Sequence, residues 1–325
     1  MALTVGQIGA GVVASWHLQG YVAAPGVDAV VLAEPDTAAR RRLYDQYGII
    51  KQVHEDYQAL LDDPQVGIID ICAPVEQRAE IAIAALQAGK HVICEQPPAS
   101  TMAEFEAMQA AAAAGQGRLF VAIPELMIPA NERARELIHQ GEVGEVLLVG
   151  ALVVDNTLDS SSIRQSIYAA MAMLQRWLGP AAAVSMTAKR VAGEAAAGPE
   201  DTALINMEMA AGALAQIAVT CAAAGDEPTT ERRIVGTKGT LLVRDDPEDE
   251  LPLVGFEEKM FFSIPVHNPP HIREYATRQL LCDFVDCIIE GKAPAVSLQE
   301  TEAALRTLLA AYESVESGRR VAIAR

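Results

Sequence analysis

The residues whose types and spacing point most directly to chemistry form a glycine-rich turn, with the letters GAGVVA at positions 9–14. An apolar stretch precedes the turn and an apolar pattern with helical spacing follows it, which predicts a strand, a tight turn and a helix. Gly9 permits the turn, Gly11 lets a pyrophosphate approach the backbone, and Ala14 lets the helix pack closely on the strand. Free N–H groups at the start of the helix would bind the phosphates. We therefore predict a dinucleotide site that includes Gly9, Ala10, Gly11 and Val12.

A carboxylate follows at the end of the next predicted strand. Glu34 lies 25 residues after Gly9, close to where such a fold places an acidic side chain on the adenosine ribose hydroxyls. Because a carboxylate there would repel a 2′-phosphate, we predict NAD rather than NADP as the cofactor. Arginines at positions 40–42 could counter that repulsion, but a solvated helix face is the commoner explanation of such a charge run.

The elements that would position these groups alternate between apolar strands and amphipathic helices up to about residue 123. This alternation predicts an α/β fold with a Rossmann-type, doubly wound parallel sheet. Ligands of such sheets lie beyond the carboxyl ends of the strands, so the ends of later strands should join the same crevice. These ends add Ala73, Pro74, Glu95 and Gln96 to the predicted cofactor site.

Beyond residue 123 the pattern changes to long strands with short turns and few helices, which predicts an α+β domain with an open, mainly antiparallel sheet. Asn131 is predicted to cap a helix that ends at Gln140, and two further helices close the chain. We expect a dinucleotide-binding domain at 1–123 and a substrate and oligomerisation domain at 124–325, whose last helices could pack back on the first domain.

The composition narrows the classes of partner. The 325 residues carry a formal net charge of −18 and are 51% hydrophobic, which disfavours nucleic acids and anionic membrane surfaces as partners. No apolar run reaches the roughly 18 residues of a membrane span, and nothing before the first predicted strand resembles a leader. The five cysteines lack C-x-x-C spacing, so we expect packed, reduced thiols in the cytoplasm and no metal site.

Several further motifs occur together with the turn in an order that resembles one known family. They are the segment 84–92 (AALQAGKHV), Glu95-x-Pro97, the segment 141–146 (GEVGEV), Trp177-Leu-Gly179 and the segment 236–239 (GTKG). Over essentially its whole length the chain resembles the glucose–fructose oxidoreductase and inositol dehydrogenase (Gfo/Idh/MocA) family. The resemblance implies an N-terminal Rossmann domain, a C-terminal open-sheet domain often used for oligomerisation, and hydride transfer with NAD(P).

The resemblance also implies acid–base groups that this chain lacks. Gln96 stands where the family has the lysine of a Glu-Lys-Pro motif. Ser166, Ala170 and Met173 fall where the family usually has Asp, His and Asp. Glutamine cannot exchange a proton, although it can hydrogen-bond a substrate oxygen. Besides Gln96, the candidate catalytic residues are Tyr168, on the same predicted helix as those three positions, and Glu125, just past the last predicted strand of the first domain.

Simpler structural roles stay open for these and other polar side chains. Tyr168 could be a packing residue, and Glu125 could be a solvated acid in a loop. His267 and His271, in a proline-rich loop, are further acid–base candidates that could equally be surface residues. His17, inside the first predicted helix, is interpreted as a packed histidine at the edge of the core.

Three functions fit these observations. The first is an NAD(P)-dependent oxidoreductase that transfers hydride to or from a small, sugar-like or unsaturated substrate with a non-standard proton donor. The second is a non-catalytic dinucleotide-binding scaffold or sensor, because the usual Lys, Asp and His are absent together. A weaker third is NAD-assisted lyase or glycosidase chemistry. A solvent-facing sheet rich in Ala, Val and Leu would expose an apolar patch, so we expect a homodimer or homotetramer through the C-terminal sheet.

Overall fold

The computed structural model describes residues 3–154, 163–191, 200–222, 229–245, 251–257 and 260–323. The chain divides into two compact units. The first comprises Met1–Pro124 and Arg273–Thr301, and the second comprises Glu125–Ile272 and Glu302–Arg325.

A parallel sheet forms the centre of the first unit. Its elements in chain order are β1 (Leu3–Ile8), α1 (Val12–Ala23), β2 (Val27–Ala33), α2 (Thr37–Gln46), β3 (Ile50–His54), α3 (Gln58–Asp62), β4 (Val66–Ile71), α4 (Val75–Gln87), β5 (His91–Glu95), α5 (Met102–Ala114) and β6 (Leu119–Ala122). The strands pair in parallel in the order β3-β2-β1-β4-β5-β6. This doubly wound, Rossmann-like sheet confirms the predicted fold class. Its strand order reverses between β1 and β4, which is where such sheets bind ligands.

Strand burial explains why most of this sheet could be predicted and one strand could not. The central strands are mostly buried and rich in apolar residues, as expected of parallel strands that are covered on both faces. The edge strand β3 is polar and mostly exposed, with Lys51 and Gln52 among its residues, so it lacks an apolar pattern. It is missing from the prediction for that reason.

A late helix, α8 (Ile272–Glu290), belongs to the first unit except for its first residue. Its Phe284 ring stacks on Phe120 of β6 with the ring centroids 4.8 Å apart. A Cβ atom at Gly20 of α1 would lie 2.7 Å from the Cδ1 atom of Leu281. The glycine in α1 therefore allows α8 to approach closely, and α8 completes the core of this unit.

The second unit contains a nine-stranded, mainly antiparallel sheet, which confirms the second part of the fold prediction. Its elements are a 3-10 turn (Pro124–Met127, from its second residue), α6 (Pro129–His139), β7 (Val146–Val154), α7 (Ile163–Leu178), β8 (Ala181–Lys189), β9 (Thr202–Met209), β10 (Leu214–Thr220), β11 (Thr229–Gly236), β12 (Thr240–Arg244), β13 (Leu253–Glu257), β14 (Met260–Ser263), most of α9 (Leu298–Ser317) and β15 (Val321–Ala322). The strand order is β14-β13-β12-β11-β7-β10-β9-β8-β15, and β10 pairs with β7 in parallel.

Side chains alternate across this sheet. Along β9, Ile205 and Met207 are buried, whereas Leu204, Asn206 and Glu208 are exposed. The buried side chains contribute to the core that the unit shares with its helices, because α7 packs on β7, β9 and β10. The opposite face of the sheet is solvent-accessible in the single chain.

The predicted cap of α6 is wrong. The helix begins at Pro129, with Ile128 as its N-cap, so Asn131 lies inside the first turn. Proline suits this position because the first helical N–H groups have no partner within the helix. The Asn131 side chain instead donates from Nδ2 to the carbonyl of Glu125 at 3.1 Å and accepts at Oδ1 from Arg232 at 3.1 Å.

Candidate functional site

The glycine-rich turn joins β1 to α1, and its two glycines are required for different reasons. Gly9 has a φ of +105°, and a Cβ atom there would lie 2.7 Å from the carbonyl oxygen of Cys72. The fold itself therefore requires glycine at this position. Gly11 has an ordinary φ of −72°, and a Cβ atom there would have no atom of the protein within 4 Å. The space above Gly11 is open to a ligand that approaches the backbone.

Helix α1 begins at this open space without a cap. Gly11 is its N-cap, no side chain caps the helix, and its first turn carries no acidic residue. The first N–H groups of a helix have no partner within the helix and attract anions. Val12, the first helical residue, is 57% exposed, so this end of the helix is accessible. The turn and the helix end thus fit the pyrophosphate of a dinucleotide.

The predicted cofactor residues lie at the carboxyl ends of four strands of one sheet. Glu34 follows β2, the turn follows β1, Ala73 and Pro74 follow β4, and Glu95 ends β5. Neighbouring β1 and β4 are held together past their ends, because the Cys72 N–H donates to the carbonyl of Ile8 at 2.8 Å. The first unit therefore places every predicted cofactor residue at one edge of the sheet.

Glu34 lies at this edge beside a cluster of arginines. Its Oε1 accepts the backbone N–H of Asp36 at 2.8 Å, and Arg40 donates to its backbone carbonyl. Arg42 donates to the carbonyl of Ala10 in the glycine-rich turn at 2.7 Å. Arg41 alone fits the interpretation as a solvated charge, because it is exposed and faces Asp45 at 3.5 Å. Arg40 and Arg42 help to hold the ends of β2 and β1.

Two side chains hold the segment that follows β5. The Arg78 guanidinium donates to the carbonyls of Ala73 at 2.8 Å, Glu95 at 3.0 Å and Pro97 at 2.7 Å. The Glu95 carboxylate is 2% exposed, and its Oε2 accepts the N–H of Gln96 at 2.9 Å. Gln96 is itself only 1% exposed. The position where the resemblance implies lysine is therefore a buried amide in a tightly held loop.

A buried charged cluster lies behind this loop. His17 of α1 contacts Asp70 of β4 through Nδ1 at 2.9 Å and Glu95 through Nε2 at 2.9 Å. His17 and Asp70 are completely buried. The interpretation of His17 as a packed residue missed this cluster, because its three members are far apart in sequence and only the sheet brings them together. The contacts of Arg78 were not predicted either, because the carbonyls that it binds follow two separate strands.

The electrostatics of the cluster favour a charged imidazole. Burial alone would lower the pKa of His17, but the charge of Asp70 and the hydrogen bond to it raise the pKa well above the usual 6.5. A protonated His17 therefore stabilises the fold fully below pH 6.5, and this contribution is lost as the pH rises through the raised pKa. Burial, and next the charge of Asp70, raises the pKa of the nearby Cys72 thiol to about 12.

Two members of this cluster, together with Cys72, form the one group of potential metal ligands among the described residues. His17, Asp70 and Cys72 place potential ligand atoms within 4.8 Å of one another. Each ring nitrogen of His17 faces a carboxylate oxygen at 2.9 Å, so each carries a proton and neither offers a lone pair to a metal. The geometry is that of a salt bridge. All five cysteines are free.

The second unit holds the other candidate catalytic residues. Tyr168 of α7 is completely buried, which favours a packing role. Glu125 lies in the 3-10 turn and is partly exposed. His267 and His271 are exposed, as a surface role predicts. The positions where the family usually has Asp, His and Asp are buried or nearly so: Ser166, Ala170 and Met173 are 8%, 4% and 1% exposed.

A second buried network in this unit was not foreseen from the sequence. Arg232 of β11 is 3% exposed and forms a bidentate salt bridge with Asp245 at 2.9 and 2.8 Å. It also contacts Asn131, whose backbone carbonyl accepts the Trp177 indole N–H at 3.2 Å. This network ties β11 to α6 and α7, and we assign it a structural role. An isolated arginine in a strand pattern gives no signal of such pairing.

Comparison with known proteins identifies the family. Residues 3–123 match the Gfo/Idh/MocA model described as an oxidoreductase family with an NAD-binding Rossmann fold. Residues 162–323 match the model for the C-terminal alpha/beta domain of the same family. The chain belongs to the Gfo/Idh/MocA oxidoreductase family. The first unit is accordingly an NAD-binding Rossmann domain, and the predicted cofactor is confirmed.

Curated members of the Gfo/Idh/MocA family match part of this chain. A levoglucosan dehydrogenase of Pseudarthrobacter phenanthrenivorans is 33% identical over 169 residues, which are 49% of this chain and 43% of that protein. An inositol 2-dehydrogenase of Salmonella typhimurium is 29% identical over 171 residues, which are 52% of this chain and 51% of that protein. The matches therefore span about half the length of these relatives.

Solved structures of Gfo/Idh/MocA proteins match the whole chain. An oxidoreductase domain protein from Kribbella flavida is 28% identical, with a TM-score of 0.85 and complete coverage of both chains. A levoglucosan dehydrogenase in complex with NADH and levoglucosan has a TM-score of 0.88 with complete coverage, at 23% identity, which shows the fold alone.

Among the described helices, none combines the length and hydropathy that a membrane crossing requires.

Proposed function

We propose that this Gfo/Idh/MocA protein is an NAD-dependent oxidoreductase that transfers hydride to or from a small, sugar-like or unsaturated substrate. The observation that carries the proposal is the open space above Gly11 at the uncapped start of α1, beside the β1/β4 switch point. Relatives that act on levoglucosan and inositol support a polyhydroxylated substrate. In this proposal residues 1–123 bind the cofactor and residues 124–325 bind the substrate.

NAD, when bound, supplies the hydride acceptor or donor, and the protein positions it. In our proposal Gly11 and the start of α1 hold the pyrophosphate, and Glu34 binds the adenosine ribose. Ala73, Pro74 and the segment beginning at Glu95 line the crevice further along the sheet edge. Arg78 donates to the carbonyls on both sides of Gln96 and so holds this segment at the crevice.

The proton must then move by a route other than the lysine of the family. We assign Gln96 the task of hydrogen-bonding a substrate oxygen, since an amide cannot take up a proton. Glu125 is the better of the two remaining proton-transfer candidates, because its partial exposure allows exchange with solvent. Tyr168 is completely buried and would exchange more slowly.

A second function is favoured by a separate observation. The three α7 positions that carry acid–base groups in the family are here Ser166, Ala170 and Met173, and all three are buried. A non-catalytic NAD-binding scaffold or sensor would have no need of proton transfer. The two functions differ in whether bound NADH is ever consumed.

Turnover on a panel of substrates separates the two functions. Purified protein would be incubated with NAD and levoglucosan, inositols or aldoses, and with NADH and the matching ketones or unsaturated analogues. We expect slow but saturable turnover with at least one polyhydroxylated compound, with a rate about 10²- to 10⁴-fold below that of an enzyme with full acid–base groups. Tight NADH binding without turnover on any panel member would favour the scaffold.

The carboxylate of Glu34 leads to a prediction about cofactor choice. We expect the native protein to bind NADH more tightly than NADPH. Glu34→Ser should reduce the ratio of the NADPH and NADH dissociation constants about tenfold, a change of about 1.4 kcal/mol in relative binding free energy. Arg40 stays beside this position through the Glu34 backbone carbonyl and Thr37, so it can meet a 2′-phosphate. Fluorescence titration with both cofactors measures the ratio of dissociation constants. Glu106→Ser, on the exposed face of α5, is the control, and a native protein that prefers NADPH would contradict the assignment.

We also propose that two or four copies associate through the open face of the C-terminal sheet. Four leucines of β7, β9 and β10 are exposed on this face, and pairing places Leu148 opposite Leu214. Their exposed fractions are 47% for Leu148 and Leu152, 51% for Leu204 and 54% for Leu214. Leu152 and Leu204 flank Ala218 in the same register row, so the leucines form one apolar surface.

The five free cysteines fit a reducing compartment, and we propose the cytoplasm.

Charge on this face should prevent association. We expect the native protein to be a dimer or tetramer by size-exclusion chromatography with light scattering, and the double variant Leu148→Asp/Leu214→Asp to be a monomer. The two aspartates would face each other and a partner copy, so burial of the face would require burial of uncompensated charge. Val22→Asp, a change at a 60% exposed apolar residue of α1, should leave the assembly intact. A monomeric native protein would contradict the proposal.

A further inference from the structure

His17 joins one helix and two strands of the Rossmann domain from a completely buried position. The residue is completely buried in α1, the helix that starts at the glycine-rich turn. Its ring contacts Asp70 of β4 on one side, with Nδ1 at 2.9 and 3.1 Å from the two carboxylate oxygens. On the other side, Nε2 lies 2.9 Å from Oε1 of Glu95 at the end of β5. One ring therefore bridges the helix at the turn to the two strands beyond the switch point.

The hydrogen-bond geometry determines the charge of the ring. A bare ring nitrogen directed at a carboxylate oxygen would bring two lone pairs together, whereas an N–H group forms a strong charge-assisted bond. Both ring nitrogens face carboxylate oxygens, which favours an imidazolium at His17. Two other polar groups lie near this bridge: the half-buried Cys72, whose Sγ is 3.7 Å from Nδ1, and the completely buried Tyr21. Their pKa values are raised, so both are neutral at neutral pH.

The bridge continues into the cofactor crevice through a single carboxylate. While Oε1 of Glu95 faces His17, its Oε2 accepts the backbone N–H of Gln96 at 2.9 Å. Arg78 fixes the carbonyls of Glu95 and Pro97 from the other side. The Gln96 segment is thus held by Arg78 through its carbonyls and by His17, acting through Glu95, at its N–H group.

We propose that His17 is a positioning residue, which as an imidazolium fixes Glu95 and thereby sets the Gln96 segment against the bound dinucleotide. The inference rests on the proposed cofactor role of the segment that begins at Glu95. It assigns His17 an effect on cofactor affinity without any contact with the cofactor. Asp70 balances the ring charge but does not reach the crevice.

A double-mutant cycle on NADH affinity tests the transmission through Glu95. His17→Gln removes the cation, and Glu95→Gln leaves one amide oxygen to serve two donors, so each variant should weaken NADH binding about tenfold. The double variant should be no more than about tenfold weaker than the native protein, because both changes break the same link. Asp70→Asn is the matched control, since it also removes one buried carboxylate from His17. A neutral ring can then accept the new amide N–H at Nδ1 and still donate from Nε2 to Glu95, which keeps the Glu95 link. Its NADH affinity should change less than about twofold.

Two outcomes of the cycle would overturn the proposal. One is an Asp70→Asn variant that loses as much NADH affinity as Glu95→Gln, because a general loss of stability would then explain both. The other is a double variant weakened by about 100-fold, the product expected of independent effects. The cycle measures only NADH affinity and does not require hydride transfer. A protein that binds NADH without turnover would contradict the proposed function but would leave this test valid.

Nuclear magnetic resonance on the unaltered protein provides the second measurement, which does not depend on the folding of any variant. With uniform nitrogen-15 labelling, both ring nitrogens of His17 should show attached protons at neutral pH. Addition of NADH should shift the His17 Nε2 proton and the Gln96 amide together, whereas the Nδ1 proton facing Asp70 should shift less. A neutral His17 ring, or a Gln96 shift without any response at His17 Nε2, would overturn the proposal.

Discussion

Replacement of Gly11 by alanine should weaken NADH binding about 100-fold and leave the melting temperature unchanged or slightly raised. An added Cβ atom would have no atom of the protein within 4 Å, and the backbone at Gly11 is in a region that any residue adopts. Alanine at such a position even reduces the entropy of the unfolded chain. The methyl group would, however, occupy the space through which a pyrophosphate approaches the backbone. Calorimetric titration with NADH and thermal unfolding measure the two quantities.

Gly9→Ala is the matched control, because it places the same methyl group two residues earlier. Its φ of +105° is unfavourable for alanine, and the new Cβ atom would lie 2.7 Å from the Cys72 carbonyl oxygen. The expected cost is about 1–3 kcal/mol of folding free energy for the backbone conformation alone. Gly9→Ala should therefore lower the melting temperature, in contrast to Gly11→Ala. If Gly11→Ala bound NADH as tightly as the native protein, the pyrophosphate could not lie at this turn.

The second large effect should follow from Gln96→Lys. If the reaction proceeds with a weak proton donor, a lysine at this position should raise kcat/KM for a polyhydroxylated substrate about 100-fold. The site is buried, and the Arg78 guanidinium holds the carbonyls before and after it. Both burial and a neighbouring cation favour a neutral amine, which is the form that accepts a proton. When kcat/KM is measured across a range of pH, the Gln96→Lys variant should show a plateau that the native protein lacks.

Gln96→Met separates proton transfer from packing. Methionine fills a similar volume without a polar group, so it should lower kcat/KM below that of the native protein by removing the hydrogen bond to the substrate oxygen. NADH affinity measured for all three proteins shows whether the segment has kept its position. A Gln96→Lys variant that binds NADH normally yet turns over no faster would argue against hydride-transfer chemistry at this crevice.

The sequence was sufficient to predict the cofactor domain because its signals are local. The letters GAGVVA and the carboxylate 25 residues after Gly9 both lie within one short, contiguous stretch of the chain. Burial on both faces makes the parallel strands visible as apolar runs. The polar edge strand β3 gives no such signal, and the start of α6 depends on Pro129 rather than on Asn131.

The charged cluster could not be predicted for a different physical reason. His17, Asp70 and Glu95 lie on a helix and two strands, and only parallel pairing of β1, β4 and β5 aligns them. Each alone resembles an ordinary polar residue within an apolar segment. The three carbonyls bound by Arg78 likewise come from two separate strand ends. Contacts between distant segments determine how the crevice is held, and a linear pattern does not contain them.

The transfer of deuterium from NADH labelled at C4 tests the central claim most directly. The protein would be incubated with the labelled cofactor and the panel of ketones and unsaturated compounds, and the products analysed by mass spectrometry. Our account predicts a product one mass unit heavier, formed from one of the two C4 stereoisomers and strongly reduced with Gly11→Ala at limiting NADH. NADH that binds with native affinity while no panel compound acquires deuterium, even with Gln96→Lys, would contradict the proposed oxidoreductase and favour an NAD-binding scaffold.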